Sequence, residues 1–307
     1  MHLIEQIDRD ISSDDDSAPP NYQKIFTRLD AKIDGSCSLV LLGGNGDLLA
    51  YRDKTGNRPL FFVEHNDVLC IASETHGFQE IGLEDDYEQK ITEIQPGQII
   101  HYNQAEDTIT THQIAEPDPH FCIIETLYFM HNHSRYDNRS IEEIRQEIGL
   151  AMGEQMRARF QNVDDVVVAA IPNSAIPGAI GFSKATNIEQ VEALTRQRPA
   201  DETRSFIDEN PEKIVTKKFT INADQVHGKK IILYDDTMIR GTTARILVGK
   251  IREAGATEVH FVLGAPPVIG TCNYGIKIAG MGELLTYQAA QDLVESGQSF
   301  ELSLIHI

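Results

Sequence analysis

Residues 231–244 read IILYDDTMIRGTTA: an apolar run, two adjacent acids (Asp235 and Asp236), then a short loop rich in hydroxyls with one glycine. A strand that passes through such a loop into a helix presents the free N–H groups of the helix start. Together with the helix dipole, these favour a phosphate. Gly241 permits close backbone approach, and the hydroxyls of Thr242 and Thr243 add hydrogen bonds. The two carboxylates are not phosphate ligands, because like charges repel. They suit the hydroxyl groups of a sugar, or a divalent cation that takes oxygen ligands. A sugar phosphate with a metal satisfies both halves of the stretch. On the Asp-Asp pair alone, a strand that happens to end in acids before a threonine-capped helix is the better reading.

The elements around this stretch are legible from periodicity. Ser140 offers a hydroxyl cap with Glu143 three positions on, and Ile141, Ile144, Ile148 and Met152 follow at helical spacing, predicting a helix that ends near Phe160. Two strand–loop–helix units come next, at 164–185 and 229–256, the second helix beginning near Thr243, and then a strand EVHFVLGA. Apolar strands alternating with helices imply a parallel sheet whose ligands bind beyond the carboxyl ends of its strands, where both loops lie. Residues 1 to about 115 are strand-rich instead: CSLVLL, LLAYR, RPLFFV and VLCIAS are separated by turn-forming GGNGD, DKTGN and EHND, as in hairpins of a layered sheet. The acidic stretch SSDDDSAPP (12–20) reads as a solvated loop.

Composition narrows the partners. A formal charge of −20 on 307 residues argues against nucleic acid or an anionic membrane surface, although a local cluster of amides and arginines still serves a small anion. No apolar run approaches the roughly 18 residues of a membrane span, and the first residues lack the pattern of a signal peptide, so a cytoplasmic protein is expected. Cys37, Cys70, Cys122 and Cys272 form no CxxC pair, which argues against a disulfide framework or a self-contained zinc site.

Over the nine residues DDTMIRGTT, two acids followed by four residues and Gly-Thr-Thr, the stretch resembles the phosphoribosyl pyrophosphate (PRPP) signature of the type I phosphoribosyltransferases. The segments SRYDNRSIEEIRQEIG, AAIPNSAIPGAIGF, TRSFI, REAGATEVH and APPVIGTCNYGIKI look like successive landmarks of the amidophosphoribosyltransferase family. Upstream, GSCSLVLL, YRDKTGNRPLFF, ASETHGF and IQPGQII resemble the latter part of that family's glutaminase domain. The resemblance implies an α/β phosphoribosyltransferase domain over 119–300, preceded over 1–118 by part of an α+β N-terminal-nucleophile glutaminase domain. It also implies transfer of ammonia, drawn from glutamine, to C1 of PRPP. The products would be 5-phosphoribosylamine and pyrophosphate, in the first step of purine synthesis. A homo-oligomer inhibited by purine nucleotides is implied as well.

Residue by residue, the resemblance places ribose hydroxyls and magnesium at Asp235 and Asp236, and the 5-phosphate in the cradle Thr237, Met238, Ile239, Arg240, Gly241, Thr242 and Thr243. Ser174 matches the third magnesium-site position. The family's acid just before it is Asn173 here, and the residues alone equally allow Ser174 to cap the following helix. Arg204 and Lys218 fall on basic positions of the loop that closes over PRPP, a loop lengthened here by PADET; Arg196 and Arg198 suit a solvated loop as well as a ligand role.

The family's glutaminase nucleophile is an amino-terminal cysteine, and no cysteine here matches it; Met1–Ile7 resemble a helix deep inside that domain. The chain therefore reads as a fragment lacking the front of the glutaminase domain and the carboxyl terminus. Cys122 and Cys272 fall on two of the four cysteine positions that hold a 4Fe–4S cluster in one subfamily. The tail 302–307, LSLIHI, reads as non-native adapter-derived sequence. Two other functions fit the same pocket: a PRPP-binding regulatory module, which should bring a basic DNA-binding unit, and an ammonia-only transferase.

Overall fold

The computed structural model describes residues 4, 7, 20–82, 87–160, 164–197, 215, 217–272, 274 and 280–296. The chain divides into two compact units, Met1–Cys122 with Cys272–Lys277, and Ile123–Thr271 with Ile278–Ile307. The 302–307 tail, Arg198 and Arg204 lie outside the described residues, as do 12–19 of the acidic loop. Of Met1–Ile7 only Ile4 and Ile7 are described, both helical.

In the first unit, helix α1 (Tyr22–Asp30) precedes strands β1 (Ser38–Leu42), β2 (Leu48–Arg52), β3 (Phe61–His65) and β4 (Val68–Ala72), then helix α2 (His76–Glu80) and strands β5 (Thr92–Glu93), β6 (Gln98–Asn103) and β7 (Thr108–Gln113). The four apolar runs of the sequence are the first four strands. Both sheets are antiparallel, ordered β1-β2-β6-β7 and β4-β3-β5. Alternation decides the layering. Leu49, Tyr51 and Ile99 face Ile25, Phe26 and Leu29 of α1, while Ala50 and Ile100 face the other way against Leu60, Ile94, Phe62 and Ile71. A helix, a sheet and a second sheet therefore stack in that order, because strand side chains alternate in period two.

In the second unit a small hairpin, β8 (Arg135–Tyr136) and β9 (Arg139–Ser140), leads into α3 (Ile141–Phe160). Then follow β10 (Val166–Ala170), α4 (Ile176–Thr186), β11 (Gln190–Val191), β12 (Leu194–Arg196), β13 (Phe219–Ile221), α5 (Ala223–Val226), β14 (Lys230–Asp235), α6 (Thr242–Glu253), β15 (Glu258–Leu263) and α7 (Leu285–Glu295). The main sheet is parallel throughout, ordered β11-β10-β14-β15. Its central strand β14 is covered on both faces. Ile231 and Leu233 pack with Leu247 and Ile251 of α6, and Ile232 and Tyr234 pack with Ala179 and Phe182 of α4. A parallel sheet sheathed on both sides needs the continuous apolar strands that the sequence shows at 166–170 and 230–234.

Helix α3 starts one residue after the expected Ser140, and the Glu143 carboxylate accepts the Ser140 N–H at 3.3 Å, half of a capping box. Its most buried stripe differs from the expected isoleucine face: it runs through Ile141, Arg145, Gly149 and Gly153. The glycines explain the shift. A Cβ on Gly149 would stand 1.8 Å from the carbonyl oxygen of Gly178 in α4, and one on Gly181 would stand 1.9 Å from the Gln146 carbonyl oxygen. The two helices touch backbone to backbone, so the closest approach belongs to residues without side chains rather than to the largest apolar ones.

Candidate functional site

The acid pair sits where β14 ends. Asp235 is its last residue, in register with Leu263 of β15, and Asp236 is the first residue beyond. Both are fixed by backbone: Gly264 N–H donates to Asp235 O at 2.9 Å and Ala265 N–H to Asp236 O at 2.8 Å, extending the β14–β15 ladder past the acids. Beside them Tyr234 is buried, and its ring fills the space that two glycines leave. A Cβ on Gly178 would lie 2.4 Å from Tyr234 Cε1, and one on Gly264 would lie 2.9 Å from its hydroxyl oxygen. Burial, first, and then the charges of Asp236 and Asp235 push the Tyr234 phenol up, so it stays neutral.

The side chains of the pair are less well provided for. Asp235 Oδ1 accepts the Asp236 N–H at 2.9 Å, and Asp236 Oδ1 accepts the Thr237 hydroxyl at 2.9 Å. Burial, reinforced by the neighbouring Asp236, pushes Asp235 up to about 8. Burial also raises Asp236, against hydrogen bonds from Ser174 and Thr237 and the positive charge of Arg145. Two adjacent carboxylates held this way resist ionising together at neutral pH unless a cation relieves them.

Ser174 lies in the turn between β10 and α4, immediately after the parallel neighbour of β14. It does not cap α4: the residue in that position is Ala175, which makes no side-chain cap bond, and Pro177 occupies the helix's first turn. Its hydroxyl instead lies close enough to Asp236 to oppose the rise in that carboxyl's pKa. Asn173 is exposed, and its carbonyl accepts the Ile176 N–H at 3.2 Å. Two crossover loops of adjacent parallel strands thus bring Ser174 to the acid pair, the position at which open parallel sheets present their ligand crevice.

Residues 237–241 carry the chain from the acids to α6, which begins at Thr242 rather than Thr243. Gly241 has φ +70°, left-handed backbone that glycine adopts without strain, and no side chain caps the helix. The first intrahelical bond runs from Arg245 N–H to Gly241 O at 2.9 Å. By helix geometry the amides of Thr242, Thr243 and Ala244 therefore have no acceptor within the helix, and with the two exposed threonine hydroxyls they form a donor-rich mouth. Thr237, Met238 and Ile239 are half-buried along the loop, and Arg240 is exposed with its Nε 2.7 Å from Glu283 Oε2.

Lys218 is exposed beside β13 and close enough to Asp235 for each to shift the other. Burial and Arg196 lower the lysine's pKa, whereas Asp235 raises it. The Lys218 carbonyl accepts the Gln197 N–H at 2.9 Å, continuing the antiparallel β12–β13 pair and so holding Lys218 near Arg196. One contributor escapes sequence reading: Arg145, 3% exposed on α3, whose charge reaches Asp236. Its Nε donates to Thr126 O and its Nη2 to Met130 O, each at 2.8 Å. The available signal was a cation in helical phase with Ile141.

The cysteines do not make up a four-thiolate set. Cys122 and Cys272, the two on family cluster positions, are half-buried thiols of the first unit. Burial and then the nearby Asp53 and Asp30 push the Cys37 thiol up to about 11. Among the described residues no helix is long and apolar enough to cross a membrane.

Comparison with known proteins places this geometry. No protein-family model matches the chain. It is 36% identical over 269 residues to the amidophosphoribosyltransferase of Methanothermobacter thermautotrophicus, an alignment covering 87% of this chain and 54% of that one. To the Synechocystis amidophosphoribosyltransferase it is 34% identical over 258 residues, 82% of this chain and 49% of that one. Among solved structures it resembles one described as the allosteric regulatory enzyme of purine biosynthesis, with a TM-score of 0.75 and 25% identity, over 97% of this chain and 65% of that one. The fold also matches the Bacillus subtilis glutamine PRPP amidotransferase complexed with ADP and GMP, with a TM-score of 0.71, 24% identity, and 97% and 66% coverage. The chain spans about half the length of the curated relatives it matches. Over that span, the chain is similar in sequence and fold to the amidophosphoribosyltransferases.

Proposed function

We propose that the second unit binds PRPP with Mg2+ and transfers ammonia to C1 of its ribose, releasing pyrophosphate and forming 5-phosphoribosylamine. The observation that carries this reading is the juxtaposition of a buried, incompletely satisfied acid pair with an open helix start one short loop away. Carboxylates accept and do not donate, so Asp235 and Asp236 would take the ribose hydroxyls while the 237–243 loop takes the 5-phosphate. The donor set fits Mg2+, which prefers oxygen ligands: two carboxylates and the Ser174 hydroxyl converge on one rim. When bound, the metal would neutralise charge developing on the pyrophosphate.

The chain's own residues set up the displacement. Loop amides and Thr242 and Thr243 hold the phosphate end, and the acid pair orients the ring so that C1 faces the incoming nitrogen. As the C1–N bond forms, the C1–O bond to pyrophosphate breaks with its electron pair, and the nitrogen loses a proton to solvent. Lys218, Arg196 and, in the same loop, Arg204 would supply positive charge to the leaving group and exclude water. We infer further that glutamine is the nitrogen's source, with the first unit as part of a glutaminase-type domain. Purine nucleotides as inhibitors are in keeping with the ADP and GMP of the Bacillus subtilis structure. A homo-oligomer in the cytoplasm, a 4Fe–4S cluster completed by thiolates beyond Cys122 and Cys272, and an adapter origin for 302–307 belong to the same reading.

The test mixes the purified chain with PRPP, MgCl2 and ammonium chloride at pH 8 and measures pyrophosphate. Release that requires all three components is expected. Absence of release together with absence of PRPP binding would sink the reading, whereas binding without release would favour a PRPP sensor.

A further inference from the structure

Three contacts tie the phosphate loop to a segment far downstream in the same unit. Arg240 Nε lies 2.7 Å from Glu283 Oε2. The Leu285 N–H donates to Ile239 O at 2.9 Å. The Leu285 side chain fills the space that Gly241 leaves, with Cδ2 3.0 Å from where a Cβ on Gly241 would lie. The segment is itself anchored: Leu284 is fully buried, the Thr286 hydroxyl donates to Val268 O, and Gln288 Nε2 donates to Gly282 O at 2.7 Å. The one described side-chain hydrogen bond of residues 237–243 runs from Thr237 back to Asp236, so the loop has little to hold it from within. Its backbone is set instead from a strip that sequence distance hides.

We propose that Glu283 and Leu285 are positioning residues for the phosphate loop, and that Arg240 acts through its pairing with Glu283 rather than as a phosphate ligand. The claim rests on the reading of 237–243 as the phosphate cradle and gives Arg240 its role within it. The charge pair fixes the residue just before Gly241, and the Leu285 amide fixes the carbonyl before that. Gly241 then turns the chain into its left-handed conformation and aims the first amides of α6 outward together. Phosphate is recognised by those amides, whose number and direction a point charge on a mobile side chain does not reproduce.

The alternative role makes opposite predictions. If Arg240 were a phosphate ligand, Glu283 would compete with phosphate for it, and Glu283→Gln would tighten binding. As positioning residues, they give a loss. The test measures hydrogen exchange of the 239–243 amides in the ligand-free chain and PRPP affinity with Mg2+ by calorimetry. It compares the unsubstituted chain, Glu283→Gln, the charge exchange Arg240→Glu with Glu283→Arg, and Leu285→Pro. Proline is tolerated at 285 because this is the first helical residue and Leu284 before it is extended, at φ −75° and ψ 123°. For an exposed pair, Glu283→Gln should speed exchange and weaken PRPP by roughly two- to fivefold, and the exchanged pair should recover both. Leu285→Pro, which deletes the amide donor, should have the larger effect. Unchanged exchange in Glu283→Gln, tighter PRPP binding, or a charge exchange that recovers neither readout overturns the proposal. If the unsubstituted chain binds no PRPP, the reading of the cradle fails, and the exchange measurements still decide whether Glu283 and Leu285 hold the loop.

Discussion

Two acids, one in each unit, are treated in opposite ways by their surroundings. Asp53 in the first unit is 1% exposed and saturated. Its carboxylate accepts from the Ser36 hydroxyl at 2.9 Å, the Cys37 N–H at 2.7 Å, and both the N–H and the hydroxyl of Thr55. Asp235 in the second unit accepts one N–H, from its neighbour Asp236, and is pushed up to about 8. A carboxylate given a full set of donors fastens a fold together. One withheld from donors, beside a second carboxylate, is stabilised by what it binds. On the proposed reading, the difference is that between scaffold and site.

Substitutions that remove each acid test that separation. Asp53→Ala strands the Cys37 and Thr55 amides in the interior and should cost about 4 kcal/mol, read as a lowered unfolding midpoint, with PRPP affinity retained in molecules that remain folded. The double change Asp235→Asn with Asp236→Asn should do the reverse. It should weaken PRPP binding in Mg2+ by roughly 100-fold or more while raising the midpoint of the ligand-free chain by about 2–4 °C, because the repulsion between buried charges is gone. Destabilisation by the asparagines would show that the second pair, like Asp53, is scaffold.

Much of this architecture is legible in sequence because it follows from period and punctuation. The four apolar runs between turn-forming stretches are strands, and the two strand–loop–helix units become β10–α4 and β14–α6. The acids and loop are legible because a signature compresses site chemistry into nine adjacent residues. What is not legible depends on long-range approach. The buried stripe of α3 follows Gly149 and Gly153 because α4 comes within backbone contact, and apolarity gives no hint of that. Arg145 and Glu283 meet the site only through folding, each from an element far from DDTMIRGTT. Ser174 shows the intermediate case: its position suggested either a cap or a site role, and the fold puts Ala175 in the cap position while Ser174 lies near Asp236.

Smaller effects sharpen the comparison. Gly149→Ala should destabilise the second unit by about 2 kcal/mol, since a methyl group 1.8 Å from the Gly178 carbonyl oxygen forces α3 and α4 apart. A chain that tolerates it would show that this contact is looser than the geometry states. Cys37 supplies the pH test. Its thiol is raised above the ordinary value of 9.0 to about 11 by burial, then by Asp53 and Asp30. The neutral thiol is favoured in the folded state, so its contribution is fully present below pH 9 and fades as pH rises through 11. Alkylation of Cys37 at pH 9, followed by mass spectrometry, should be slow in the folded chain and fast in urea. Equal rates would contradict the buried environment.

The central claim is that the withheld acids and the open helix start form one Mg2+-dependent PRPP site, and calorimetric titration with PRPP addresses it directly. Saturable binding in MgCl2, lost in EDTA and lost in the double asparagine variant, is the predicted result. Equal affinity with and without Mg2+, or undiminished affinity when both acids are asparagine, would contradict it.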